Sequence, residues 1–168
     1  IRSSGVMMGS ISSQKTLEEV LAELKRVPDY NSTDFVSQIT TAKTYQWQAK
    51  SDEETIKPLY KIVALDCGLK YNILRLLNSL GCTVTIVPCT TPAADILKLK
   101  PDGILLSPGP GDPDLLDYLV KTIKGLVEEK PIMGICLGNQ LIARTFGGKN
   151  FKLKFGHRGG NHPVRELA

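Results

Sequence analysis

The chain has 168 residues, 42 % of them hydrophobic and 23 % charged, with a formal net charge of +4. That is the balance of an ordinary globular protein, long enough to bury a core as one domain or as one domain with part of another. Its lysines and arginines are dispersed and no aromatic nucleic-acid module accompanies them, which argues against a nucleic-acid partner. No apolar stretch approaches a bilayer-spanning length, so no membrane association is expected. The first residue is Ile1 rather than Met and the opening segment lacks a signal-peptide pattern, so a piece of a longer protein is expected. Cys67, Cys82, Cys89 and Cys136 show neither C-x-x-C pairing nor histidine at metal-ligand spacing. Free thiols in a reducing compartment, the cytoplasm, are the economical reading, with no metal site and with three of the four simply packing.

In chain order, Leu17, Val20, Leu21 and Leu24 predict a helix over 15–26, opened by a Thr16/Glu19 capping box and stopped by Pro28. A short second helix is expected after Asn31-Ser32-Thr33-Asp34, through Val36 and Ile39. Residues 46 to 60 turn polar and finish with Pro58, the composition of an inter-domain linker. From Lys61 strands and helices alternate. Ile62–Leu65, Thr83–Val87, Gly103–Leu106 and Ile132–Ile135 read as short buried strands. Asn72–Leu80, Pro92–Leu99, a long helix from Asp112 and Asp114 through Val127, and Leu137–Phe146 read as helices. Lys149–Lys154, alternating with Phe151, Leu153 and Phe155, reads as one more strand with a wet face. Uniformly apolar strands between amphipathic helices imply an α/β fold, a mostly parallel sheet with helices on both faces.

The richest chemistry lies at Gly134-Ile135-Cys136-Leu137-Gly138. This is the thiol form of a nucleophile elbow, in which small residues permit a sharp strand-to-helix turn. A helix start there offers backbone N–H groups and positive potential to the sulfur, an arrangement that favours thiolate. The competing reading is a buried apolar cysteine between loop glycines; both glycines together with the flanking strand and helix favour Cys136 as nucleophile. A second loop, Ser107-Pro108-Gly109-Pro110-Gly111-Asp112-Pro113, follows the third of these strands. In parallel sheets such loops share the carboxyl edge with the elbow, and a stiff Pro/Gly loop with accessible N–H groups suits an oxyanion. A phosphate loop is the competing functional reading, but no Gly-Lys-Ser/Thr follows; a plain rigid Pro/Gly turn is the structural one, and the elbow beside it favours the oxyanion. A Cys nucleophile also needs a base. The two histidines, His157 and His162, lie in Gly156–Pro163, neither at a strand end with an acid two or three residues on, except through Glu166.

Gly134–Gln140 resembles the nucleophile motif of the class I glutamine amidotransferases. Within that group, 66–75 (Asp-Cys-Gly-Leu-Lys-Tyr-Asn-Ile-Leu-Arg), 107–113 and 154–163 (Lys-Phe-Gly-His-Arg-Gly-Gly-Asn-His-Pro) are similar to the small, glutaminase subunit of carbamoyl phosphate synthetase. Sister amidotransferases share the elbow but not the last segment. Thr40–Trp47 resembles the end of that subunit's small N-terminal domain. The resemblance implies the C-terminal part of that domain over 1–46, a linker over 47–60, and a C-terminally incomplete amidotransferase domain over 61–168.

By the same resemblance, Cys136 attacks the side-chain amide of L-glutamine, with the backbone N–H groups of Gly109 and Leu137 holding the oxyanion. Gly109, Gly111, Leu137 and Gln140 line the substrate pocket, and ammonia passes to a large synthetase subunit or fused synthetase domain. That partner, not this chain, uses ATP, Mg and bicarbonate to make carbamoyl phosphate for pyrimidines and arginine; no cofactor is implied here. Asn139 stands where many relatives carry His. The family's His–x–Glu pair falls beyond residue 168, so the isolated piece is expected to be inactive. The alternatives are another class I amidotransferase, of the anthranilate or GMP synthesis type, and a non-catalytic docking remnant of the small subunit.

Overall fold

Strands apolar on both faces must be covered on both faces, and the computed structural model, which describes residues 8–48 and 58–153, has that arrangement. In chain order its elements are α1 (Leu17–Leu24), α2 (Val36–Ile39), β1 (Tyr45–Gln46), β2 (Tyr60–Asp66), α3 (Tyr71–Ser79) and β3 (Cys82–Pro88). There follow α4 (Ala93–Lys98), β4 (Gly103–Leu106), α5 (Asp117–Lys124), β5 (Ile132–Gly134) and α6 (Leu137–Thr145). They divide between two units, Asn31–Asn150 and the flanking Ile1–Tyr30 with Phe151–Ala168.

In the flanking unit the capping box at α1 is complete. The Thr16 side chain accepts from the Glu19 amide at 3.3 Å, and the Glu19 carboxylate accepts from the Thr16 amide at 2.8 Å. Such a cap contributes about 1 kcal/mol, and here it defines a helix that has no fully buried residue.

The Asn31–Asn150 unit holds a five-stranded sheet in the order β1-β3-β2-β4-β5. β2 runs parallel to β3 (Ile62↔Val84, Leu65↔Val87) and to β4 (Val63↔Ile104, Leu65↔Leu106), and β4 parallel to β5 (Leu106↔Gly134). β1 alone is antiparallel, pairing Tyr45 with Ile86. The period-2 rule sorts the side chains. Val63, Leu65, Val87, Ile104 and Leu106 face one core with Ile96 of α4, Leu119 and Ile123 of α5, and Leu137 and Leu141 of α6. Ala64, Val84, Ile86 and Leu105 face the other, with Leu74 of α3. The expected α/β architecture, mostly parallel and helix-covered on both faces, is therefore present.

Residues 31–47 belong to the compact unit that begins at Asn31. The Thr40 hydroxyl donates to Asp66 O at 2.6 Å and accepts from the Cys89 amide at 2.9 Å, and Trp47 N donates to Val84 O at 2.8 Å. The expected linker lies mostly in 49–57, outside the described residues. The long helix from Asp112 is instead a 3₁₀ turn, Pro113–Leu115, followed by α5. Asp112 caps that turn, and Leu116 at φ −110°, ψ 40° breaks the helical path; Leu126 is nevertheless buried, in a turn past the end of α5. The alternation at Lys149–Leu153 forms no strand, and Lys154 and Phe155 lie outside the described residues. Period-2 spacing marks a strand only where a neighbour pairs with it, and none does here among the described residues.

Leu74 is fully buried under one face of the sheet, whereas Leu76 on the same helix is 61 % exposed. Leu74→Ala is expected to cost about 2–5 kcal/mol, and Leu76→Ala less than about 0.5 kcal/mol, as read from urea unfolding midpoints. Equal losses would contradict the burial pattern.

Candidate functional site

After β2 the chain crosses to β3 on one side and then to β4 on the other, so the strand order reverses beside β2. The crevice outside the carboxyl ends of β2 and β4 is where a parallel α/β sheet places its ligand site. Three connections converge there: 66–69 after β2, 107–113 after β4, and the elbow after β5.

The elbow is strained. Cys136 has φ 53° and ψ −109° and caps α6; apart from Lys100 it is the only non-glycine residue at positive φ among those described. Such a conformation costs on the order of 1–3 kcal/mol and persists only where its surroundings enforce it. They do so by close approach of backbone. A Cβ at Gly134 would lie 2.5 Å from Asn139 N, and one at Gly138 would lie 2.7 Å from Leu106 Cβ and overlap the Leu106 carbonyl. The Ile135 amide donates to Leu106 O, and the Gly138 amide to Ile135 O, both at 3.0 Å. Cys136 itself is exposed, unlike Cys67 and Cys89.

The Pro/Gly loop lies against the elbow. A Cβ at Gly109 would overlap the Cys67 carbonyl oxygen and sit 2.7 Å from Leu137 Cδ2. The two candidate oxyanion residues are thus brought together, and Leu137, the first residue of α6, carries an amide that an α-helix leaves without an internal partner. Gln140 is one turn along α6, its amide bonded to Cys136 O at 3.1 Å, with an exposed side chain. At Gly111, two residues beyond Gly109, the nearest neighbours of a Cβ belong to Phe35 and Thr33. His157 and His162 lie outside the described residues. A hollow of about 430 Å³, lined by Ile39, Thr41, Tyr45, Asp66, Gly68, Leu69 and Tyr71, contains none of the candidate residues.

Motif reading passed over three residues that hold these loops. Asp66 accepts from the amides of Thr41, Gly68 and Leu69 at 2.8, 3.0 and 2.9 Å; Asp followed two residues on by Gly is a turn signature that could have flagged it. Arg144 of α6 donates to Pro113 O at 2.6 Å and pairs with Asp117 at 2.7 Å and Asp114 at 3.3 Å, joining the elbow helix to the end of the Pro/Gly loop. No sequence spacing announces that clamp. Ser107 is the one polar residue fully buried among those described, and a serine next to Pro and Gly reads simply as turn composition.

Burial is the main force holding the Cys67 thiol protonated. Burial, then the neighbouring Cys89, Asp66 and Asp34, push the Cys67 thiol up from 9.0 to about 12, against a lowering contact from Ser107. The Tyr118 hydroxyl donates to Asp34 at 3.2 Å and lies 3.7 Å from Cys89 Sγ. Burial first, then Cys89, holds its proton above the usual phenol range.

Iodoacetamide should therefore label native Cys136 first and leave Cys67 and Cys89 unmodified until denaturation, as peptide mass mapping would register. Preferential labelling of Cys67 would contradict the burial. Folded Cys67 keeps its proton to about 12, whereas the unfolded thiol loses it near 9.0. Its contribution is complete below pH 9 and is lost as pH rises through that window, by up to about 1.4 kcal/mol per pH unit. Denaturant melts from pH 8 to 11 should show this fall, shallower in Cys67→Ala; an unchanged slope would count against it.

Residues 63–167 match the sequence pattern of the family described as glutamine amidotransferase class-I. The chain is 43 % identical over 173 residues to the chloroplastic carbamoyl phosphate synthase small chain of Arabidopsis thaliana, covering 98 % of this chain and 40 % of that one. It is 45 % identical over 176 residues to the carbamoyl phosphate synthase small chain of Syntrophotalea carbinolica, covering 100 % and 47 %. With that of Pectobacterium atrosepticum it shares 43 % over 182 residues, covering 99 % and 47 %. The chain thus spans less than half the length of each of these relatives. With a pattern match from β2 through the elbow and beyond, this chain belongs to the class I glutamine amidotransferase family.

Proposed function

We propose that these residues form the nucleophile half of a glutaminase that supplies ammonia to a carbamoyl phosphate synthetase, as its large subunit or a fused synthetase domain. The observation that carries the reading is an exposed sulfur at a strained corner, at the start of a helix, with Gly109 packed on the adjacent Leu137. Similarity to carbamoyl phosphate synthase small chains over essentially the whole chain supports that reaction over anthranilate or GMP synthesis.

In this reading the Cys136 thiolate adds to the side-chain carbonyl carbon of L-glutamine. The carbonyl electron pair moves onto oxygen, and the amides of Gly109 and Leu137 donate to that oxyanion, whose stabilisation grows as charge develops. The C–N bond then breaks and nitrogen leaves as ammonia. Its proton comes from the histidine that the family resemblance assigns beyond residue 168. Water adds to the γ-glutamyl thioester and glutamate departs, returning the thiol. Gln140 and Gly111 are assigned to the glutamine wall. Neither a metal nor a cofactor is assigned to these residues; ATP, Mg and bicarbonate belong to the synthetase. No helix of the described residues is long and apolar enough to cross a membrane, and four unpaired cysteines support a reducing, cytoplasmic location.

In the full-length protein assembled with its synthetase, Cys136→Ser is expected to lower glutamine-dependent carbamoyl phosphate formation by at least about 10³-fold. Ammonia-dependent formation should persist. A serine variant that still released ammonia from glutamine would remove Cys136 as nucleophile. A knockout requiring tryptophan or guanine, rather than pyrimidine and arginine, would move the assignment to a sister enzyme.

A further inference from the structure

The Pro108–Gly109 peptide carries both the Pro108 carbonyl and the Gly109 N–H assigned to the oxyanion. Its carbonyl end is held from inside the protein. The Ser107 hydroxyl, fully buried, lies 2.9 Å from Pro108 O in donor geometry and accepts from the Cys67 amide at 2.8 Å. The Ser107 amide is committed separately, to Leu65 O at 3.2 Å. Gly68 closes the other side: a Cβ there would lie 3.3 Å from Pro108 O and 3.2 Å from Gly109 Cα.

We propose that Ser107 is a positioning residue for glutamine hydrolysis, its hydroxyl donating to Pro108 O so as to aim and polarise the Gly109 N–H that receives the oxyanion. The inference rests on the glutaminase reading and deepens it. The relay runs from Cys67 N–H to Ser107 Oγ–H, then to the Pro108 carbonyl, and through the shared amide to Gly109 N–H. Donation to an amide oxygen draws electron density from its nitrogen, so the N–H at the other end becomes a better donor; hydrogen bonds in such chains reinforce one another, most in a site shielded from water. The relay also fixes the peptide plane. Were that peptide to rotate, the carbonyl would turn toward the incipient negative charge and repel it. The benefit arises as charge forms, so it belongs to kcat rather than to ground-state binding.

The test uses the full-length protein with its synthetase. Ser107→Ala is expected to lower kcat for glutamine hydrolysis by about 10–100-fold, less than the 10²–10³ of deleting an oxyanion donor outright. KM should be little changed, and iodoacetamide labelling of Cys136 should keep its wild-type rate. Inhibition by glutamate γ-semialdehyde, whose thiol adduct places an oxygen in the same position, should weaken while KM holds. Ser107→Cys, which keeps a weaker donor, should recover part of the loss, and it is the variant to read if Ser107→Ala does not fold. A folded Ser107→Ala with wild-type kcat overturns the inference. So does a fall of kcat accompanied by a rise in KM and altered Cys136 labelling, which would mark a purely structural role. Cys136→Ser is the control: activity surviving in it defeats the glutaminase reading itself, whereas its loss beside an unaffected Ser107→Ala defeats this inference alone.

Discussion

The site depends on main chain meeting main chain where the carboxyl ends of β2, β4 and β5 come together. Gly109 lies on the Cys67 carbonyl, Gly138 on the Leu106 carbonyl, and Gly134 beneath the first turn of α6. Each contact is closer than any side chain allows, so the three glycines are a steric condition for the elbow rather than a record of flexibility. If Gly134 or Gly138 acquired a Cβ, strand and helix would have to separate and Cys136 would no longer be held in its strained conformation, and a Cβ at Gly109 would push its loop off the Cys67 carbonyl. This gives the G-x-C-x-G spacing a physical meaning: one glycine lets the strand pass under the helix, the other lets the helix lie on the neighbouring strand.

Two charged residues hold what the glycines allow. Asp66 gathers three amides from two segments, Thr41 from one and Gly68 and Leu69 from the other, so residues 40–41 are anchored to the loop that supports Gly109. Arg144 joins α6 to the loop end at Pro113. Because Asp114 and Asp117 are 62 % and 84 % exposed, those ion pairs contribute little to stability, about 0–1 kcal/mol each. What the clamp supplies is placement. The elbow and the loop belong to separate elements, and the guanidinium makes their spacing common to both.

Much of this was legible in the sequence, for a reason visible in particular residues. β2, β3 and β4 are each paired on both sides, so their apolar runs needed no partner pattern to be recognised, and the Thr16/Glu19 box and the elbow glycines are local signals. What escaped depends on contacts distant in the chain. The bonds that tie Thr40 and Trp47 to Asp66, Val84 and Cys89 leave no local pattern. Lys149–Leu153 carried a strand's period, but among the described residues no strand pairs with it. Leu116 interrupts a helix that its apolar spacing seemed to extend, since burial constrains the side chain and not the backbone path. Ser107 was invisible as anything but loop because a hydroxyl's value comes from its burial.

The four cysteines show how one residue type separates into distinct chemistries by position alone. Cys67 and Cys136 both sit just past the carboxyl end of a strand, where Gly109 of the Pro/Gly loop packs on Cys67 and on Leu137, the neighbour of Cys136. Cys67 continues β2 into the interior, is 0 % exposed, and has a thiolate opposed by burial and by the charges around it. Its backbone is nevertheless in use, the amide on Ser107 and the carbonyl under Gly109. At Cys136 the roles are reversed: the backbone is bent out of its ordinary range and the sulfur is accessible. A strained backbone raises the free energy of the fold, and a buried, well-bonded one lowers it. The site therefore combines an unfavourable conformation where reactivity is wanted with a rigid support immediately behind it, and the glutaminase reading requires both.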